Sequence, residues 1–166
     1  MPSRQEPMTH AGAARTAVTR ALARVPRRRD SGFSPQVRHA VRVRAGNGDP
    51  ATALCEGCGR WLGYDGGQVQ HRLARRAGGS RDPVIGTVMN ALLLCGTPAS
   101  GCHGAAESRS PRAWLAGLWL RSGDDIPAAA VRLYYLNPAA GISRTRRVFL
   151  LADGTYGTAP DRGAAA

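Results

Sequence analysis

Four cysteines arranged in two pairs constrain this chain more than any other feature. Cys55-Glu-Gly-Cys58 is a two-residue-spaced pair followed by Gly59. A bend of that length presents two thiolates to one tetrahedral ion, and its small residues free backbone N–H groups to face the sulfurs. The second pair, Cys95 and Cys102, is separated by Gly-Thr-Pro-Ala-Ser-Gly, a wider spacing than a standard knuckle. The four thiols, with none left over, predict an all-cysteine structural Zn2+ site. Two disulfides, or simply buried thiols, are the alternatives. The N-terminus carries no hydrophobic signal core, which sets the expectation of a cytoplasmic location where disulfides are disfavoured.

Such a staple answers a need. A chain of 166 residues suits one domain of ordinary size, but aromatics make up 5% and glycines number 21, so the core will be thin. The longest apolar run, near Val88–Leu94, is interrupted by Asn90 and falls far short of the ~20 residues of a spanning helix. No membrane association is expected. Glycine and proline punctuate the chain throughout and argue against a coiled coil.

The 23 basic residues are all arginine and, against 11 acids, give a net charge of +12. Ten of these arginines lie in residues 1–48, opposed only by Glu6 and Asp30, so that stretch carries +8 and the remainder +4. A polyanionic partner follows, nucleic acid being the commonest. Arginine without lysine, beside abundant alanine and glycine, is also what a GC-rich genome writes into its proteins. Residues 1–31 read as a basic, disordered arm with too few large apolar groups to pack.

Ser34 as N-cap and Pro35 at the first helical position start a helix, with Val37, Ala40, Val41 and Arg44 on one face. Gly46-Asn47-Gly48-Asp49-Pro50 ends it in a turn. Val69, His71 and Leu73 alternate with Gln68, Gln70 and Arg72, as in a strand, and Gly78-Gly79-Ser80 follows as a loop. Ala91–Cys95 reads as a short buried strand preceded by Asn90. A helix is expected within Glu107–Ala116, disturbed at Pro111. Strands are expected near Leu118–Leu120, Val131–Leu136 and Arg146–Ala152, the last turning at Asp153-Gly154. Residues 158–166 read as a frayed tail. If a helix begins near Cys102, His103 and Glu107 share one of its faces, a two-ligand claw for a divalent cation.

His71, Arg72, the Gly78-Gly79 turn, Asn90, Leu94-Cys95 and Cys102-His103, in that order, resemble the HNH endonucleases. The resemblance is closest to the zinc-stapled type found in phages and prophages, and covers about residues 33–110. It implies an α+β fold: a small ββα-metal domain over residues 32–110 with a four-cysteine zinc site and a preceding helix. Residues 111–157 would follow as a helix and short C-terminal strands. By that likeness His71 is the general base, Asn90 braces the hairpin loop, and His103 ligates one Mg2+ or Mn2+ ion. Arg72, Arg75 and Arg76 would grip DNA phosphates flanking the cut. Phage relatives of this kind serve beside the DNA-packaging machinery, which makes that machinery an expected partner.

Two positions depart from the family pattern. Gln70 stands where many members carry Asp or His, and a neutral amide is a poorer ligand for a hard cation than a carboxylate. Glu107 stands where some members carry a second histidine, and it can restore the missing anionic charge as a third ligand. The resemblance therefore implies a metal-dependent DNA endonuclease or nickase. Its competitors are a catalytically inactive zinc-stapled DNA-binding module and a small regulatory protein whose arm binds RNA.

Overall fold

The computed structural model describes residues 32–75, 82–137 and 141–158. The basic arm over residues 1–31, Arg76, the Gly78-Gly79-Ser80 loop and the end of the tail lie outside the described residues.

Helix α1 (Pro35–Ala45) starts where its capping chemistry demands: the Ser34 hydroxyl accepts from the Val37 N–H at 3.2 Å, and Pro35 needs no partner for a missing N–H. Val41, Arg44 and Ala45 are its buried positions. Asn47, at φ 53°, takes the left-handed step that lets the chain leave the helix.

Strands β1 (Gln68–His71) and β2 (Ala91–Leu94) pair antiparallel, with Gln68 opposite Leu94 and His71 opposite Ala91. All of β2 is buried, because one face meets α1 and the other meets the cysteine-bearing core. Its continuous Ala-Leu-Leu-Leu run is what burial on two faces requires. A six-residue loop leads to α2 (Gly101–Glu107), followed by α3 (Pro111–Leu115). The helix expected within Glu107–Ala116 is α3, separated from α2 by Ser108-Arg109-Ser110. Pro111 opens α3, at a position where its ring is tolerated.

A second antiparallel sheet is formed by β3 (Val131–Asn137), β4 (Gly141–Leu150) and β5 (Tyr156–Thr158) in that order. The expected strand at Leu118–Leu120 is absent. Leu120 makes only an isolated bridge to Leu73, because the segment is spent turning around the buried Arg72. Val131, Leu133, Val148 and Leu150 pack with Leu92, Leu94, Ala106, Ala113 and Leu118 and with Cys55 and Cys95. The cysteines thus sit inside the main core. The architecture is mixed helix and strand, with two small antiparallel sheets around a four-cysteine cluster. Among the described residues no helix is long and apolar enough to cross a membrane.

Candidate metal centre and cleft

The four sulfurs of Cys55, Cys58, Cys95 and Cys102 lie within 4.8 Å of one another. Cys58 and Cys95 approach to 3.7 Å. That separation is far beyond a disulfide bond, about 2.05 Å. It matches the edge of a tetrahedron, about 3.8 Å, that Zn–S bonds of about 2.3 Å would produce. The cluster can therefore hold a metal such as zinc.

Local backbone chemistry builds both halves. In the first, the Cys58 and Gly59 N–H groups both donate to the Cys55 carbonyl, and Gly59 adopts φ 74° to close the bend. Gly57 is required for a different reason: a Cβ there would stand 3.0 Å from the Cys102 sulfur. In the second, the His103 N–H donates to the Cys95 carbonyl, drawing the start of α2 back to the end of β2. The wide spacing is thereby reduced to a close approach. The Cys95 N–H donates to the Cys55 sulfur at 3.2 Å. The neighbouring Cys102 thiol and N–H groups hold Cys55 below its ordinary pKa, against burial. Burial pushes Cys58 up, and the Cys55 thiolate pushes Cys102 up. A bound dication reverses that logic by deprotonating its thiol ligands outright.

Of the residues implied by the resemblance, His71 and Asn90 lie at the other end of the β1–β2 hairpin. His71, the last residue of β1, stacks on the Phe33 ring with centroids 3.8 Å apart and planes 16° from parallel. Its Nε2 is buried and has no hydrogen-bond partner among the described residues. Burial, and next the charge of Arg75, pull its pKa down to about 4 against the opposing pull of Glu107. The ring is therefore neutral at cellular pH.

Asn90 is fully buried just before β2 and accepts from the Leu73 N–H at 2.7 Å. Its amide donates to the Leu73 and Ile85 carbonyls, each at 3.0 Å. One side chain thus ties together both ends of the connection between the strands. Replacing it by leucine removes all three bonds and strands buried backbone groups, each costing about 1–3 kcal/mol. Asn90→Leu is expected to lower the urea midpoint accordingly, with the slope of the transition unchanged.

Gln70, His103 and Glu107 converge. The Gln70 amide donates to the Glu107 carboxylate at 2.9 Å, and His103 Nε2 lies 3.6 Å from the same oxygen. His103 Nδ1 is buried without a partner. His103 and Glu107 thus lie side by side across one turn of α2. Gln70, as placed, donates to the carboxylate, and its carbonyl becomes a ligand only if the amide turns over. Among the described residues, the four thiols are the one group of three or more His, Cys, Asp or Glu donors close enough to share an ion. A cation at Glu107 and His103 would need water or substrate oxygens to complete its shell, which suits Mg2+.

Arg72 is a correction. It is 1% exposed, and its guanidinium donates to the carbonyls of Gly117 and Ala129 at 2.9 Å, with a longer bond to Ala130. β1 ends at His71, and the next residue turns inward, so this charge is not offered to a phosphate at the surface. Arg75 is half-buried, its guanidinium donating to the Gly32 carbonyl at 3.2 Å, and it lines a cleft of about 1110 Å3 together with Gln70, His71 and Glu107.

Three residues central to the arrangement gave no signal in the sequence. Phe33 holds the His71 ring from 38 positions away. Glu56, between the first two cysteines, is fully buried and receives Arg44 Nε at 2.9 Å, the Leu93 N–H at 2.7 Å and the Tyr156 hydroxyl at 2.6 Å. Arg109, which also lines the cleft, adopts a left-handed backbone. Only Arg44 was foreshadowed, by its place on the inward face of α1. No family model, curated protein or solved structure matches this chain.

Proposed function

We propose that the protein is a metal-dependent DNA endonuclease or nickase of the HNH kind, held in shape by a structural Zn2+ at its four cysteines. The observation that carries this reading is the His71 ring. It is neutral, clamped by Phe33 and has an unpartnered Nε2, and it lines the same cleft as Gln70 and Glu107. A buried polar atom without a partner is costly in a purely structural role, whereas a base needs a free lone pair. The reading is supported by the order of elements, the paired strands β1 and β2 followed by α2, since the resemblance calls for two strands and then a helix.

In this mechanism His71 takes the proton from a water as that water attacks the scissile phosphorus. A pKa of about 4 makes a weak base in the free protein. A phosphate anion entering beside the ring favours its protonated form and raises that value. Asn90 holds the connection after β1 so that the ring keeps its aim. Glu107 and His103 would hold the Mg2+ or Mn2+ ion, with Gln70 as a further ligand once turned. When bound, that ion supplies neutralisation of charge on the phosphate and on the departing 3′ oxygen. Arg75 lies where it can hold a flanking phosphate. The basic N-terminal stretch adds sequence-independent attraction to DNA. A bacterial cytoplasm and the phage packaging machinery fit this reading as setting and partner.

The experiment is direct. Supercoiled plasmid incubated with the protein and Mg2+ or Mn2+ should be converted to nicked or linear forms. His71→Ala should slow that conversion by about 100- to 10,000-fold while leaving DNA affinity intact. Cutting by His71→Ala at the wild-type rate would remove His71 as the base. A wild-type protein that binds DNA but never cuts it would favour the second reading, an inactive zinc-stapled DNA-binding module. That reading draws on the neutral Gln70, whose amide donates to Glu107.

A further inference from the structure

The cleft has a second wall outside the motif-bearing hairpin. Arg109, Trp119 and Arg121 line it together with His71, Arg75 and Glu107. Arg109 is the first residue after the C-cap of α2, where its N–H donates to the Ala106 carbonyl and that of Ser110 to the Ala105 carbonyl. A helix ending in this way places its next residue in the left-handed region and is ordinarily finished by glycine or asparagine. Here φ is 55° at an arginine. The side chain is exposed and makes no hydrogen bond or ion pair among the described residues. A strained backbone thus carries a cation that no described side chain pairs with.

Arg121 is held differently. Its guanidinium lies 4.1 Å from the centroid of the Trp114 ring, and the backbone around it is closed by the Asp124 carboxylate accepting from the Arg121 N–H. Stacking on a flat ring restricts the side chain while leaving the edge of the guanidinium free to donate. The acids along the cleft are engaged locally. Asp82 accepts from the Val84 N–H, Asp124 from Arg121, and Glu107 from Gln70.

We propose that Arg109 and Arg121 form a phosphate clamp in the cleft that His71 also lines, gripping the DNA backbone beside the phosphate to be cut. The clamp rests on the nuclease reading for its substrate but not on any step of the chemistry. A left-handed arginine persists because the cation it delivers is used. Arg121, pre-oriented on Trp114, then takes a second phosphate of the same strand.

Arg109→Gly separates this role from a structural one, since glycine adopts the left-handed backbone without steric cost. The variant should keep or raise its melting temperature and yet bind a fluorescein-labelled DNA duplex more weakly. One lost phosphate contact, with a salt slope of about 0.9, corresponds to about fivefold weaker binding at about 0.15 M salt. Arg121→Ala should do the same, and the pair together about 25-fold if the contacts are independent. Arg109→Asn, also suited to this backbone, guards against an effect peculiar to glycine. Binding is measured by anisotropy without added divalent cation, so the strand stays intact and the zinc is left in place.

Wild-type affinity and salt slope in both Arg109 variants would overturn the clamp, even if plasmid is still nicked. Weaker, flatter binding in those variants from a protein that never nicks plasmid would support the clamp and sink the nuclease instead. A duplex RNA that outcompetes the DNA would overturn the choice of ligand.

Discussion

Stripping the metal from the four-cysteine centre, with a chelator able to outcompete thiolates, should unfold the protein. The cluster is not an appendage. Cys55 and Cys95 are buried among Leu92, Leu94, Ala106, Leu118 and Val131, and Gly57 packs directly on Cys102. Structural zinc in small domains is worth about 10–16 kcal/mol, as much as or more than the 5–15 kcal/mol that holds a typical domain folded. Cys58→Ser should act in the same direction, since a serine hydroxyl replaces a soft thiolate that zinc favours. Far-UV circular dichroism should report loss of structure. Elemental analysis of the untreated protein should give one zinc per chain. An unchanged melting temperature after complete chelation would show that the cysteines serve as ordinary core residues.

Glu56→Leu should be the most damaging single substitution outside the cysteines. The carboxylate is fully buried and satisfied by Arg44 on α1, the Leu93 N–H of β2 and the Tyr156 hydroxyl of β5. Removing it leaves Arg44, itself 6% exposed, as an uncompensated buried cation. Breaking one side of such a pair costs about 3–5 kcal/mol. Urea unfolding should show that loss as a lower midpoint. Combining Glu56→Leu with Arg44→Met should recover part of it, because apolar replacement of both partners spares the stranded charge. A double variant no more stable than Glu56→Leu would mean that the lost contacts to Leu93 and Tyr156, rather than the charge, dominate.

These two sites also mark where sequence reading works and where it stops. Ser34-Pro35, the glycine-rich turn after α1, and the hairpin of His71 and Asn90 are legible because local chemistry decides them. A hydroxyl caps the next turn, a proline opens a helix, and a continuous apolar run needs cover on both faces. The juxtaposition of His103 and Glu107 follows from helical spacing alone. Arg72 was misread because the alternation of Gln68, Gln70 and Arg72 assigns it to the polar side. The carbonyls that bind it arrive from Gly117, Ala129 and Ala130, far along the chain. Glu56 carries no local signal of its role, its hydroxyl partner lying 100 residues away. Leu118–Leu120 has the apolar residues of a strand but no neighbour to ladder with, apart from the single bridge to Leu73.

The inward turn of Arg72 bears on how this hairpin can be inherited. Its guanidinium is seated in a socket of main-chain oxygens supplied by the stretch between α3 and β3. A fragment cut after α2 would keep the histidines and cysteines but leave that cation stranded in an apolar interior. The hairpin is therefore no self-sufficient cassette. A host that acquired it by recombination would have to acquire the socket as well, or substitute an uncharged residue for the arginine.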